Sequence, residues 1–242
     1  MSKKIPNRMT KVTPLLFLQG ISQAWVNLFG TPAKKEQLLV LMSQSAFETG
    51  RWNYNHNYNF GNVKSVEGDG RDYCYFSCWE VLPKAVAAAY VASSKEGAVA
   101  RVTDQYSNGT SKVWFDPEHP ACRFRAYEVR NADGSIDEWS SMVLGLMDYL
   151  GLLRKRFSKA WPAVLSGDPE KFVRELKNQG YFTGDLDQYI ASEKSLFKEF
   201  GHLAVDYASL PVVPDEKKKF FSEINSLVVS EYLADIAEME QT

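Results

Sequence analysis

The stretch from Leu38 to Phe47 constrains this chain more than any other. It is almost entirely apolar, interrupted only by Ser43, Gln44 and Ser45. A helix that is apolar on every side has to sit in the middle of a core. Upstream, Thr31-Pro32 reads as an N-cap followed by proline in the first turn, so the helix is expected from there to about Thr49. Gly50 then ends it. A buried helix needs neighbours to cover it. Residues 14–29 supply one, with Leu15, Leu18, Ile21, Trp25, Leu28 and Phe29 at helical spacing and Gly30 as its stop.

The middle of the chain reads differently. Residues 51–64 hold five asparagines (Asn53, Asn55, Asn57, Asn59, Asn62) and Gly61, which suits a turning loop. Residues 72–82, rich in Tyr, Phe, Cys and Trp, are expected to form a strand. Lys84 to Ser94 is alanine-rich and reads as a short helix. Ala98 to Thr103 and Ser111 to Phe115 read as strands joined around Asn108-Gly109, a hairpin turn signal. Cys122 to Val129 reads as extended. From Ser135 the pattern is helical again, over 135–156, 160–165, 168–178 and 185–200. Pro211 and Pro214 mark a linker before a charged amphipathic helix over 215–240, which docks on the body or on a protein partner.

Helices, a β insert and more helices describe an α+β architecture: a mainly helical domain over 1–203 with a small β-hairpin lobe at about 65–129, then an accessory segment over 204–242. The 242 residues are enough to bury a sizeable core. A net charge of −2 gives no electrostatic case for nucleic acid. No apolar run approaches the roughly 18 residues of a membrane span. Leu15 to Leu18 is too short for the core of a secretion signal, so a target outside the membrane implies delivery by lysis, a virion or a non-classical route.

Cys74, Cys78 and Cys122 with three histidines are too few for a metal site, and no cofactor is implied. The cysteines read as small buried residues or, alternatively, as one Cys78–Cys122 disulfide flanking the insert. His56 and His119 match no triad pattern, and Cys74 or Cys78 lacks a matched base.

Glu48 carries the chemistry. Burial and the negative end of a helix both disfavour its carboxylate and push its pKa up. A glutamic acid still protonated near neutral pH is what protonates a leaving oxygen in glycoside cleavage. Behind it, Asn57-Tyr58-Asn59-Phe60-Gly61-Asn62-Val63-Lys64 places amides and aromatic rings that suit a sugar, with Tyr58 and Asn59 as binding candidates. Trp52 and Trp79 are candidates for stacking on sugar rings.

Four segments in order then resemble the family 73 glycoside hydrolases, N-acetylglucosaminidases and related enzymes of the lysozyme-like superfamily. They are Gln44 to Gly50, Tyr58 to Lys64, Phe124-Arg125-Ala126-Tyr127, and Gln179 to Thr183 with Tyr189. The resemblance implies a lysozyme-like fold, peptidoglycan glycan strands as substrate, and Glu48 as general acid. It implies a second carboxylate in the β lobe, where Cys78-Trp79-Glu80 stands at the place of a Thr-x-Glu. Glu80 is therefore expected to position water or steady positive charge, with Asp104 as runner-up and Glu67, Asp69 and Asp72 still open. Tyr181 is expected to line the cleft near Glu48, and Tyr127 to pack. Asn59 in place of leucine and the inserted Asn62 depart from the pattern. Glucosaminidase, muramidase and lytic transglycosylase activities all fit, as does a non-catalytic glycan-binding or structural module of a phage particle or secretion machine.

Overall fold

The computed structural model describes residues 2–68 and 70–210. The linker from Pro211 and the helix expected over 215–240 lie outside the described residues, as does Asp69.

The helical caps follow the residues that announce them. α1 (Pro14–Phe29) opens on Thr13, whose hydroxyl accepts the Leu16 amide at 3.2 Å, and closes on Gly30 at φ 72°. α2 (Lys35–Glu48) starts later than Thr31-Pro32 suggests. The Gln37 side chain accepts the Lys34 amide at 2.8 Å and fixes the first turn there. From Gln37 to Ala46 every residue of α2 is buried, as an all-apolar helix requires. Fully buried side chains such as Leu41 and Met42 each contribute about 2 kcal/mol.

Helices from the C-terminal half complete the body around α1 and α2. α4 (Glu138–Arg156) starts at the Asp137 cap and packs on α1. α5 (Trp161–Ser166) and α7 (Leu186–Gly201) pack on α2 itself, and α6 (Pro169–Asn178) bridges α5 and α7. Gly145 of α4 has no room for a side chain. A Cβ there would overlap the Tyr58 carbonyl, so the asparagine loop lies directly on α4.

The β lobe holds two small antiparallel sheets. β1 (Tyr73–Tyr75) pairs with β5 (Arg123–Arg125), while β2 (Cys78–Pro83), β4 (Thr110–Phe115) and β3 (Ala100–Gln105) form the other in the order β2-β4-β3. The single strand expected over 72–82 is therefore two, belonging to different sheets. Phe76 between them turns inward and stacks on Phe124 at 4.0 Å and His56 at 4.1 Å. The extended stretch expected over 122–129 shrinks to β5, because Pro120–Cys122 winds into a 3₁₀ turn. α3 (Lys84–Ala92) covers the three-stranded sheet and buries Ala87 against a second core containing Val113 and Phe115. The molecule is thus α+β, a helical body with an inserted β lobe.

The body runs past the expected boundary at 203. Leu203, Val205 and Tyr207 pack on the main core, and Leu210 is buried in it.

Candidate active site

Glu48 is the last residue of α2, and the chain leaves it through an unusual loop. Arg51, Trp52, Asn57, Tyr58 and Asn62 all adopt positive φ between 46° and 61°. Each such non-glycine residue costs on the order of 1 kcal/mol, and clusters of them mark sites where geometry is held for a purpose. Asn62 donates its side-chain amide to the Glu48 carbonyl at 2.9 Å, satisfying a helix-end acceptor and fixing Glu48 against the loop. A bidentate Arg51–Glu199 pair ties the same turn to α7 at 2.5 and 2.7 Å.

Among the described residues, the Glu48 carboxyl receives one hydrogen bond. Tyr189 of α7 donates its hydroxyl to Oε1 at 2.7 Å. The Tyr189 ring is gripped between Phe182 at 4.1 Å and Phe47 at 4.3 Å, so its hydroxyl has a fixed aim. Glu48 keeps an edge toward solvent, but its carboxyl is surrounded by protein. Burial, opposed by the Tyr189 hydrogen bond and helped by the negative charge of Glu80, raises its pKa to about 7.

Behind this carboxyl lies a buried polar chain that sequence reading missed. Tyr149 donates to the Gln44 carbonyl oxygen, and the Gln44 amide donates to the Tyr181 hydroxyl at 2.9 Å. Tyr181 thus lies within electrostatic reach of Glu48 but holds Gln44, and it is Tyr189 that bonds the carboxyl. Glu193, one turn after Tyr189 on α7, is fully buried. Neither of its oxygens has a hydrogen-bond partner among the described residues. Burial, and then the charge of Glu48, raise its pKa well above the ordinary value and favour its neutral form. The quoted motif contained Tyr189 and so could have pointed to it; nothing in the pattern marked Glu193.

Of the described β-lobe carboxylates, Glu80 is the one whose charge reaches Glu48 strongly enough to shift it. It sits on β2 and pairs with Lys64 at 3.2 Å. Lys64 also lies over the Phe124 ring at 3.9 Å and donates to the Ala121 carbonyl at 2.7 Å, so the pair is anchored in the lobe. Asp104 is exposed on β3 opposite Lys112, Glu67 is exposed, and Asp72 caps the Lys3 amide at 2.8 Å. None of these three acts on Glu48. Trp79 is 51% exposed, with Lys112 over its ring at 4.5 Å. Strand alternation turns it to the face opposite Glu80.

Three sugar-binding candidates serve the fold instead. Trp52 is 1% exposed, stacked on Phe17 and Phe200. Tyr58 is buried, and its hydroxyl donates to Glu138 at 2.6 Å. Asn59 is buried and binds the backbone of Val63 and Arg125 at 2.7 to 2.9 Å. Asn57, Asn59 and Asn62 act as internal clasps because a loop buried under α4 and the N-terminal segment must satisfy its own backbone. Asn57 does this for the segment before α1, accepting the Arg8 amide at 2.8 Å and donating to the Pro6 carbonyl at 3.0 Å. Tyr127, as expected, is buried and donates to Asp148 at 2.5 Å.

No protein-family model matches the chain, and no curated protein does. Among solved structures, it is similar to the catalytic domain of the autolysin Auto from Listeria monocytogenes. The match has 16% identity and a TM-score of 0.42, and covers 80% of this chain and 88% of that one. No cluster of His, Cys, Asp and Glu able to hold a metal ion occurs among the described residues, and no described helix is long and apolar enough to cross a membrane.

Proposed function

We propose that this chain hydrolyses β-1,4 glycosidic bonds in the glycan strands of peptidoglycan, with Glu48 as general acid and Glu80 as the second carboxylate. The observation that carries the reading is Glu48 itself. It is an acid with a pKa raised to about 7, aimed by Tyr189 and within electrostatic reach of Glu80 across the lobe boundary. The ordered motifs from Gln44 to Tyr189 support peptidoglycan as the polymer.

In this mechanism Glu48 gives its proton to the glycosidic oxygen as the bond to the anomeric carbon breaks. The leaving sugar departs as an alcohol. Positive charge grows on the remaining ring and is steadied by the Glu80 carboxylate, which also orients the incoming water. Water adds to the anomeric carbon and its spare proton returns to a carboxylate. Proton donation of this kind is worth roughly 10²–10⁴-fold in rate.

The test is Glu48→Gln, assayed by clearing of purified sacculi. Clearing is expected to fall by at least about 100-fold with binding to walls retained. Clearing at the wild-type rate would overturn the assignment. The products decide the bond and the route. Reducing N-acetylglucosamine or N-acetylmuramic acid ends support hydrolysis and name the bond. 1,6-Anhydro ends would instead show a lytic transglycosylase, and binding without cleavage by the wild type a glycan-binding module.

A further inference from the structure

Two residues before Glu80 on β2, the Cys78 sulfur lies 3.3 Å from that of Cys122, although the two residues are 44 apart in sequence. Both are free thiols. Their surroundings are unequal. Lys64 donates to the Cys78 sulfur at 3.5 Å, and the same ammonium pairs with Glu80 at 3.2 Å. Cys122 is fully buried and also contacts the Phe115 carbonyl at 3.5 Å. Cys78 is only half-buried and can be reached from outside. The third thiol, Cys74, is fully buried in a separate small cluster with Ile5 and Ala126.

We infer that Cys78 and Cys122 form a thiol–disulfide exchange site: Cys78 attacks a low-molecular-weight disulfide, and Cys122 resolves the product into a bond that locks β2 to the 3₁₀ turn leading into β5. The Cys78 thiolate attacks one sulfur of RS–SR, forming Cys78–S–S–R and expelling RS⁻, which takes up a proton. Cys122 then loses its proton and attacks the Cys78 sulfur, expelling the second RS⁻ as RSH. Two protein thiols are oxidised by two electrons to one disulfide, and RS–SR is reduced to two RSH.

The electrostatics agree with these roles. The hydrogen bond from the Cys122 thiol lowers the pKa of Cys78, with help from the Lys64 ammonium, whereas the same bond and burial raise Cys122. An acidic, reachable thiol beside a less acidic resolving thiol is the arrangement that exchanges disulfides. Burial pushes Cys74 up to about 12, which leaves it out of the exchange. Closing the bond removes the thiolate that competes with Glu80 for the Lys64 ammonium. If the hydrolase reading holds, the pair closes on arrival in the oxidising surroundings of a cell wall and stiffens the strand that presents Glu80.

The experiment uses the full chain with oxidised glutathione as the disulfide, and thiols are counted after unfolding. Three free thiols are expected to fall to one, with Cys74 the survivor by peptide mapping and the mass lower by two hydrogen atoms. The melting temperature should rise by about 5 °C or more and return on reduction. Cys122→Ser should stop at one glutathione on Cys78, and Cys78→Ser should lose no thiol. Survival of all three thiols, consumption of Cys74, an unresolved glutathione adduct on the wild type, or an unchanged melting temperature would overturn the inference. None of these readouts needs wall cleavage, so they stand or fall apart from the role of Glu48.

Discussion

In the proposed mechanism, the pH dependence of cleavage follows from how tightly Glu48 holds its proton. With its pKa raised to about 7, half of the molecules carry the working acid at that pH, and the rate should fall along an alkaline limb centred there. The Tyr189 hydroxyl stabilises the carboxylate and so lowers this pKa. Tyr189→Phe keeps the ring between Phe47 and Phe182 but removes that bond. The limb is then expected to move to higher pH by about one unit, with a lower maximum because the acid loses its aim. A pH–rate profile of the variant checks this, and an unmoved limb would detach Tyr189 from the chemistry. At this scale the raised pKa of Glu48 was legible, because a carboxylate buried at the negative end of an apolar helix is costly. Tyr58 and Asn59 were misread because amides and rings that hold sugar are the same groups that hold a buried loop. Composition does not say which way they face.

At the scale of elements, α7 matters most, since its inner face carries both Tyr189 and Glu193. A buried carboxyl without hydrogen bonds costs about 1–3 kcal/mol even when neutral. Glu193→Leu should therefore stabilise the protein by roughly that amount near pH 4. The gain should grow with pH. Glu193 holds its proton far more tightly folded than unfolded, so its stabilising contribution is fully present below the ordinary carboxylate value of 4.5 and lost as pH rises above it. Denaturant melts of both proteins from pH 4 to 8 measure this, and a gain that stays constant or shrinks would show that Glu193 is ionised and paired. Elements announced by local chemistry were legible: the stop at Gly30 after α1, the helix over 168–178 that becomes α6, Asn108-Gly109 between β3 and β4. What escaped was set by distant partners. The division between β1 and β2 exists because Tyr73–Tyr75 finds β5, whereas Cys78–Pro83 finds β4. Glu193 escaped because an acid on an amphipathic helix reads as part of its polar face.

For the whole molecule, the question is where the folded body stops. The expected boundary at 203 rested on Pro211 and Pro214 and on the end of the α7 pattern. The packing places it further on. Leu203, Val205 and Tyr207 lie against the main core, Leu210 is 6% exposed, and the Lys35 ammonium reaches the Gly201 carbonyl at 3.1 Å and lies 5.0 Å from the Tyr207 ring. Short apolar residues after a helix carry no periodic signal, so their attachment to the core was not readable in advance. Two truncations separate the possibilities. A chain ending at Leu210 keeps each of these contacts and is expected to melt within about 2 °C of the full chain and to clear walls at a similar rate. A chain ending at His202 loses the burial of Leu210 and the cover from Leu203, Val205 and Tyr207. Removing several core side chains at once costs on the order of 4 kcal/mol or more, and the loss falls on the end of α7 that Glu199 ties to the turn behind Glu48. That shorter chain should melt about 10 °C lower and clear walls more slowly. Equal stability of the two would return the boundary to 203, and collapse of both would show that residues 211–242 complete the core.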